Sequence, residues 1–93
     1  MIVSFRDAET KRIFEGRRSK KLPFDIQRTA RRKLLSLAAS VNLADLAALP
    51  GNRFERLKDD RKGQYSIRIN DQWRICFLWR NANAEQVEIV DYH

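Results

Sequence analysis

Cysteine occurs once in these 93 residues, as Cys76, and histidine once, as His93. A lone thiol cannot close an internal disulfide, so the chain reads as a protein of a reducing cytoplasm. One thiol and one imidazole cannot furnish a structural zinc site either, and neither a metal nor a cofactor is expected. Glycine is limited to three residues, and no glycine-rich phosphate loop is present. No apolar run approaches the roughly 18 residues of a membrane span. The apolar part of MIVSFRDAETK is too short for a signal peptide. Internal repeats, low-complexity tracts and linkers are missing too, and this length holds one domain around one core.

Charge is what the chain has in excess. The net charge is +7, and residues 1–40 carry all of it, with eleven Lys or Arg against four Asp or Glu. Residues 41–93 balance at eight of each. Such asymmetry points to a polyanionic partner, either nucleic acid or an acidic protein.

The most regular stretch runs from Gln64 to Trp79, QYSIRINDQWRICFLW. Tyr65, Ile67 and Ile69 alternate with Ser66, Arg68 and Asn70, the period of a strand with one buried face. Asn70 and Asp71 supply a turn. In the second arm Trp73, Ile75, Phe77 and Trp79 share one face, and Arg74, Cys76, Leu78 and Arg80 the other. A β-hairpin is predicted, with Arg68 and Arg74 on neighbouring strands. A solvated sheet face accounts for Arg68 as readily as a binding role does. Arg74 shares its face with Cys76 and Leu78, which suggests partial cover and a guanidinium suited to gripping carboxylate or phosphate.

Around this hairpin the pattern is simple. Ile2–Phe5 reads as an edge strand. Asp7 offers an N-cap for a helix through about Glu15, with Gly16 as its stop. Arg17–Lys21, RRSKK, is a basic loop, either mobile and solvated or in contact with a partner. A second helix is predicted from Phe24 to Ala39. Ile26, Ala30, Leu34, Leu37, Ala38 and Val41 form its inward stripe, and Arg28, Arg31, Arg32 and Lys33 load its remaining surface. Asn42–Leu49 reads as a short third helix or turn with Leu43 and Leu46 inward, ended by Pro50-Gly51-Asn52. Strands are expected at Phe54–Lys58 and Val87–Asp91, with turns at Asp59–Gly63 and Asn81–Ala84. The expected fold class is α+β, N-terminal helices packed on one face of a small, mostly antiparallel β-sheet.

The residues permit little conventional catalysis. No Ser-His-Asp or Cys-His arrangement is available, which leaves the cations and the terminal Asp91-Tyr92-His93. A terminal tripeptide often frays, but the preceding strand runs almost to it. His93 is the one side chain that ordinarily titrates near neutrality. Asp91, and an α-carboxylate if His93 is the native terminus, favour the imidazolium. An imidazolium beside a fixed arginine can protonate a leaving alkoxide while the arginine stabilises a phosphate. RNA brings its own nucleophile, the 2′-hydroxyl, so no metal is required.

The stretch GNRFERLKDDRKGQYSIRINDQWRICFLW, the terminal VEIVDYH and the N-terminal MIVSFRDAETKRIFEG resemble the RelE/ParE superfamily of toxins, in its HigB-like (plasmid maintenance killer) branch. The likeness covers nearly the whole chain. It implies one RelE/HigB-like toxin domain over residues 1–93, the toxin half of a type II toxin–antitoxin pair. It further implies a cytoplasmic, ribosome-dependent mRNA endonuclease that cuts in the A site and needs no metal. A HigA-like helix-turn-helix antitoxin would neutralise it, operator DNA would be reached only through that antitoxin, and the free toxin would be a monomer with no membrane partner. By resemblance Arg74 holds the scissile phosphate, and Asp91, Tyr92 and His93 form the terminal catalytic group. Lys58 and Arg61 contact RNA near the cut. Lys20, Lys21, Arg31 and Arg32 contact ribosomal RNA, and Arg68 joins this RNA-binding set.

One departure stands out. mRNA-cutting relatives carry a histidine just before the position of Lys58, whereas this chain reads Phe54-Glu55-Arg56-Leu57. Either His93 transfers protons with little help, or Glu55 has taken a role, or activity is low; the first, with modest toxicity, is the preferred expectation. A ParE-like inhibitor of DNA gyrase and a plain RNA-binding module are the alternatives. The terminal Asp91-Tyr92-His93 favours the nuclease, because neither alternative needs an acid–base group there.

Overall fold

A computed structural model describes residues 1–91. Helix α1 (Ala8–Phe14) begins where the Asp7 carboxylate accepts the Thr10 amide at 2.7 Å, a cap that stabilises a helix by about 1 kcal/mol. It ends at Gly16, whose φ of +84° supports paired closing bonds, Gly16 N–H to Ile13 and Arg17 N–H to Arg12. Helix α2 (Phe24–Ala39) buries Ile26, Ala30, Leu34 and Leu37. Val41, expected on that stripe, is instead 69% exposed. The chain turns extended at Ser40, so the helical period no longer governs position 41. Helix α3 (Leu43–Ala48) is capped by Asn42 and buries Leu46, with Leu43 packed alongside.

Four strands follow in the spatial order β1-β2-β3-β4, all antiparallel. They are β1 (Glu55–Arg56), β2 (Gln64–Arg68), β3 (Trp73–Arg80) and β4 (Asn83–Asp91). The central hairpin pairs Ile67 with Ile75 and Tyr65 with Phe77, so both apolar sets point toward the helices. Its turn is held by Asn70, whose carboxamide oxygen accepts from the amides of Gln72 and Trp73. The strand expected at Phe54–Lys58 shortens to two residues, since Leu57 turns inward and a 3-10 turn starts at Asp59.

The last strand begins at Asn83, four residues earlier than the apolar pattern indicates. Asn81 and Ala82 both have positive φ, 52° and 63°, which makes a two-residue hairpin turn and lets pairing start at Arg80–Asn83. A bulge opposite Phe77 then absorbs Gln86, itself at φ +50°, and breaks the alternation that sequence reading relies on. Residues 2–5 do not form a full strand. They lie parallel to β4 through bridges from Ile2 to Ala84 and Phe5 to Val87.

The core joins Ile13, the α2 stripe and Leu46 to Ile67, Ile75, Phe77, Val87 and Ile89. It lies between the helices and one face of the sheet. Among the described residues no helix covers the other face, which carries Ser66, Arg68, Arg74 and Cys76 from β2 and β3. Among the described residues no helix is long and apolar enough to cross a membrane.

Candidate active site and basic surfaces

Arg74 is buried, at 8% exposure, on the helix-free face. Its side chain reaches from β3 over β2 to β1. Nε donates to Ser66 Oγ at 2.8 Å, one terminal nitrogen donates to the Arg53 carbonyl at 2.5 Å, and the other lies 3.5 Å from Glu55 Oε1. A buried guanidinium needs such partners. Their positions follow from local sequence. The Pro50-Gly51-Asn52 breaker leads into Arg53 at φ +42°, which presents its carbonyl inward. Asn52 is buried, with its amide donating to Leu46 and its carbonyl accepting from the Arg68 amide.

Lys33 closes the same corner from α2. Its ammonium donates to the carbonyls of Gly51 and Arg68. Burial first, then the nearby Arg32, Arg68 and Arg74 charges, push its pKa below the ordinary lysine value. The side chain thus works as a clamp between helix and hairpin, and is not the solvated surface charge that the sequence suggests.

A second ion pair occupies the other end of this face. Arg61 contacts Glu88 at 3.2 Å and Gln64 at 3.1 Å, and Arg6 reaches Glu88 at 3.6 Å. Cys76 lies between the two pairs, fully buried. Burial pushes its thiol up to about 11, with Glu88 and Glu55 adding to the rise and Arg61 and Arg74 opposing it. This excludes Cys76 as a nucleophile near neutral pH. Lys58 is exposed at the start of the 3-10 turn.

Asp91 is the last described residue of β4 and pairs opposite Trp73, while Arg74 pairs opposite Val90. The described part of β4 therefore ends one residue beyond the position that pairs with Arg74. Strand alternation puts Asp91 on the Trp73 side of the sheet, where it accepts from Gln72 Nε2 at 3.0 Å. Tyr92 and His93, both expected in the catalytic group, lie outside the described residues. Arg68, opposite Arg74 in the hairpin, pairs with Asp71 in the turn. Among the described residues no cluster of His, Cys, Asp and Glu could hold a metal ion.

The remaining cations form a separate surface on the helical side. Lys20 and Lys21 are exposed, yet their loop is pinned. Buried Ser19 exchanges two hydrogen bonds with Gln27 and donates a third to Glu9 at 2.7 Å. Arg31 and Arg32 line a groove of about 510 Å³ together with Arg17, Arg18 and Arg28. Phe24 is 69% exposed on its rim, with the Arg18 guanidinium 4.7 Å from the ring centroid. The expected ligands thus divide in two. Arg74, Arg61 and Arg68 serve the helix-free face, with Lys58 on the connection beside it, whereas Lys20, Lys21, Arg31 and Arg32 lie on the helical side. Ser66 could have been found from hairpin register alone; Arg53, Asn52 and Lys33 could not, because their contacts are long-range.

Comparison with known proteins places these features in context. The family described as RelE-like toxin of type II toxin–antitoxin system HigB matches residues 3–93. Toxin HigB-1 of Vibrio cholerae is 39% identical over 85 residues, covering 90% of each chain. Endoribonuclease HigB of Proteus vulgaris is 29% identical over an alignment of 97 positions that spans both chains in full. Among solved structures, a YoeB-YefM complex from Staphylococcus aureus superposes with a TM-score of 0.62 at 16% identity, over 100% of this chain and 98% of that one. That likeness carries the RelE-like fold.

Proposed function

Because this chain belongs to the HigB-like family of RelE-like toxins of type II toxin–antitoxin systems, we propose that it is a cytoplasmic endoribonuclease that cuts mRNA in the ribosomal A site. The observation that carries this reading is Arg74. It is a buried guanidinium fixed by Ser66 and Arg53 beside a half-exposed carboxylate, and its partner across β4, Val90, directly precedes Asp91. The relative from Proteus vulgaris is named an endoribonuclease, which supports the same chemistry.

In this scheme the scissile phosphate docks on Arg74 and displaces the Glu55 carboxylate from it. Glu55, 49% exposed, then faces the 2′-hydroxyl and takes its proton. The 2′-oxygen attacks phosphorus, the P–O5′ bond breaks, and His93 protonates the leaving oxygen. The products are a 2′,3′-cyclic phosphate and a 5′-hydroxyl. No step needs a metal. Arg74 supplies charge-assisted hydrogen bonds to an anion whose charge grows in the transition state. The pairing with Arg74 favours Glu55 as partner to His93 over a solitary histidine. Lys58 and Arg61 hold RNA beside the cut, and Asp91 and Tyr92 orient the terminal group. Lys20, Lys21, Arg31, Arg32 and Arg68 contact ribosomal RNA. A HigA-like helix-turn-helix antitoxin neutralises the toxin, a monomer on its own, and carries it to operator DNA.

The test is primer extension on a defined mRNA with purified protein, with and without translating ribosomes and in the presence of EDTA. In-frame cuts that require ribosomes, survive EDTA and vanish in His93→Gln are expected. Undiminished cutting by His93→Gln would remove the histidine from the mechanism. No cutting under any condition, with toxicity retained in cells, would replace the nuclease by a binding toxin such as a gyrase inhibitor.

A further inference from the structure

The two residues of β1 face opposite ways. Glu55 pairs with Ser66 and contacts Arg74; Arg56 pairs with Tyr65 and lies on the far side of the sheet. There its guanidinium sits 5.7 Å from the Tyr65 ring centroid, and Phe54 stacks on the same ring at 5.5 Å with planes 16° apart. A recess of about 500 Å³ opens beside this stack. Leu57 and Tyr65 supply its apolar lining, and Arg56, Lys58 and Lys62 outnumber its single acid, Asp59. Its volume falls in the range of small-ligand sites.

We infer that this recess is a nucleobase subsite for single-stranded RNA, holding a base next to the cut bond. The inference rests on the endonuclease reading above. Phosphate on Arg74 and base in the recess are separated only by the edge strand β1, so an RNA strand passing over Glu55 and Arg56 reaches both. Arg56 is exposed, and its planar guanidinium, already held over the tyrosine ring, offers a further plane to a base. Lys58 and Lys62 stand where flanking phosphates would run. An acidic peptide would satisfy the cations but leave the planar stack and apolar lining unused, so RNA is the occupant the chemistry favours. This also gives the two-residue β1 a purpose: a longer edge strand would separate the two faces.

A thermodynamic cycle tests the subsite. A short fluorescein-labelled single-stranded RNA with 2′-O-methyl sugars, which cannot be cut, is titrated with wild type and Arg56→Gln. The titration is repeated with RNAs carrying one abasic position each. Removing the base that occupies the recess is expected to weaken wild-type binding about five-fold or more, and to cost Arg56→Gln much less. Lys62→Gln should reduce the salt dependence of binding without changing the abasic penalty. An equal abasic penalty in wild type and Arg56→Gln would overturn the subsite, as would a wild type indifferent to every abasic position. Arg56→Gln that binds RNA normally but loses its antitoxin would assign the recess to a protein partner instead. Ribosome-dependent cleavage by wild type judges the endonuclease reading separately, because cleavage without the predicted coupling sinks the subsite alone.

Discussion

Replacing Glu55 by glutamine separates binding from chemistry. The carboxylate lies 3.5 Å from Arg74 and is 49% exposed. An ion pair of that exposure contributes no more than about 1 kcal/mol, so losing it barely affects the fold. The same figure bounds the gain in RNA binding. With no carboxylate to displace from Arg74, affinity for an uncleavable RNA should rise, by no more than about five-fold. The cleavage step should move the other way. A carboxamide cannot accept the 2′-hydroxyl proton, and loss of general acid–base help costs about 10²–10⁴-fold. Single-turnover cleavage on saturated, mRNA-programmed ribosomes reads the chemistry directly, and anisotropy on the 2′-O-methyl RNA reads binding. Cleavage within a few-fold of wild type would refute the base role and return proton transfer to His93 alone.

Other outcomes follow from the same contacts. Arg74→Ala should slow cleavage more than about 100-fold; leaving Ser66 and the Arg53 carbonyl without their donor should also cost about 1–3 kcal/mol in denaturant melts. Stability should fall as pH rises from 9 toward 11, because the Cys76 thiol is pushed up to about 11 when folded and ionises near 9.0 once unfolded. That loss, at most about 2–3 kcal/mol, should be absent in Cys76→Ala, and an unchanged pH profile would contradict the burial argument. Gly16→Ala places a Cβ 3.3 Å from Arg31 Nε at a φ of +84°, and a drop of about 1–2 kcal/mol is expected from thermal melts. Neutralising Lys20 and Lys21 should weaken ribosome binding and flatten its salt dependence without slowing cleavage on saturated ribosomes.

Period and turn chemistry carried most of the architecture. The Gln64–Trp79 hairpin, both faces of its strands, the α2 boundaries and the capped ends of α1 all follow from spacing and a few polar residues. Two kinds of element escaped. The start of β4 was hidden because Ala84 is the one apolar residue in Asn83–Gln86 and the bulge at Gln86 breaks the alternation. The setting of Arg74 was half legible: its burial follows from sharing a face with Cys76, but its partners Arg53 and Glu55 lie far back in the sequence, Arg53 by 21 residues. Likewise, Lys33 reads as a helix-surface cation until the Gly51 and Arg68 carbonyls are seen beside it. The basic loop at Arg17–Lys21 shows the reverse error, since Ser19 and Gln27 fix a segment that composition alone would leave mobile.

Residues 2–5, met earlier as two bridges beside β4, bear on the order in which the molecule comes apart. Their contacts join positions some eighty residues apart, including Gln86 N–H to Ser4 Oγ and Val3 N–H to the Ala84 carbonyl. Such joints form late in folding, after the local β2–β3 hairpin, because closing a long loop precedes any gain from the contact. They also open early, since they consist of few bonds at an exposed margin. Once they open, β4 becomes an edge with unpaired backbone groups on its outer side. Amide exchange should therefore find β4 less protected than β3, and fastest of all when residues 1–5 are removed. The strand that leads into Asp91 is held in place by the far end of the chain.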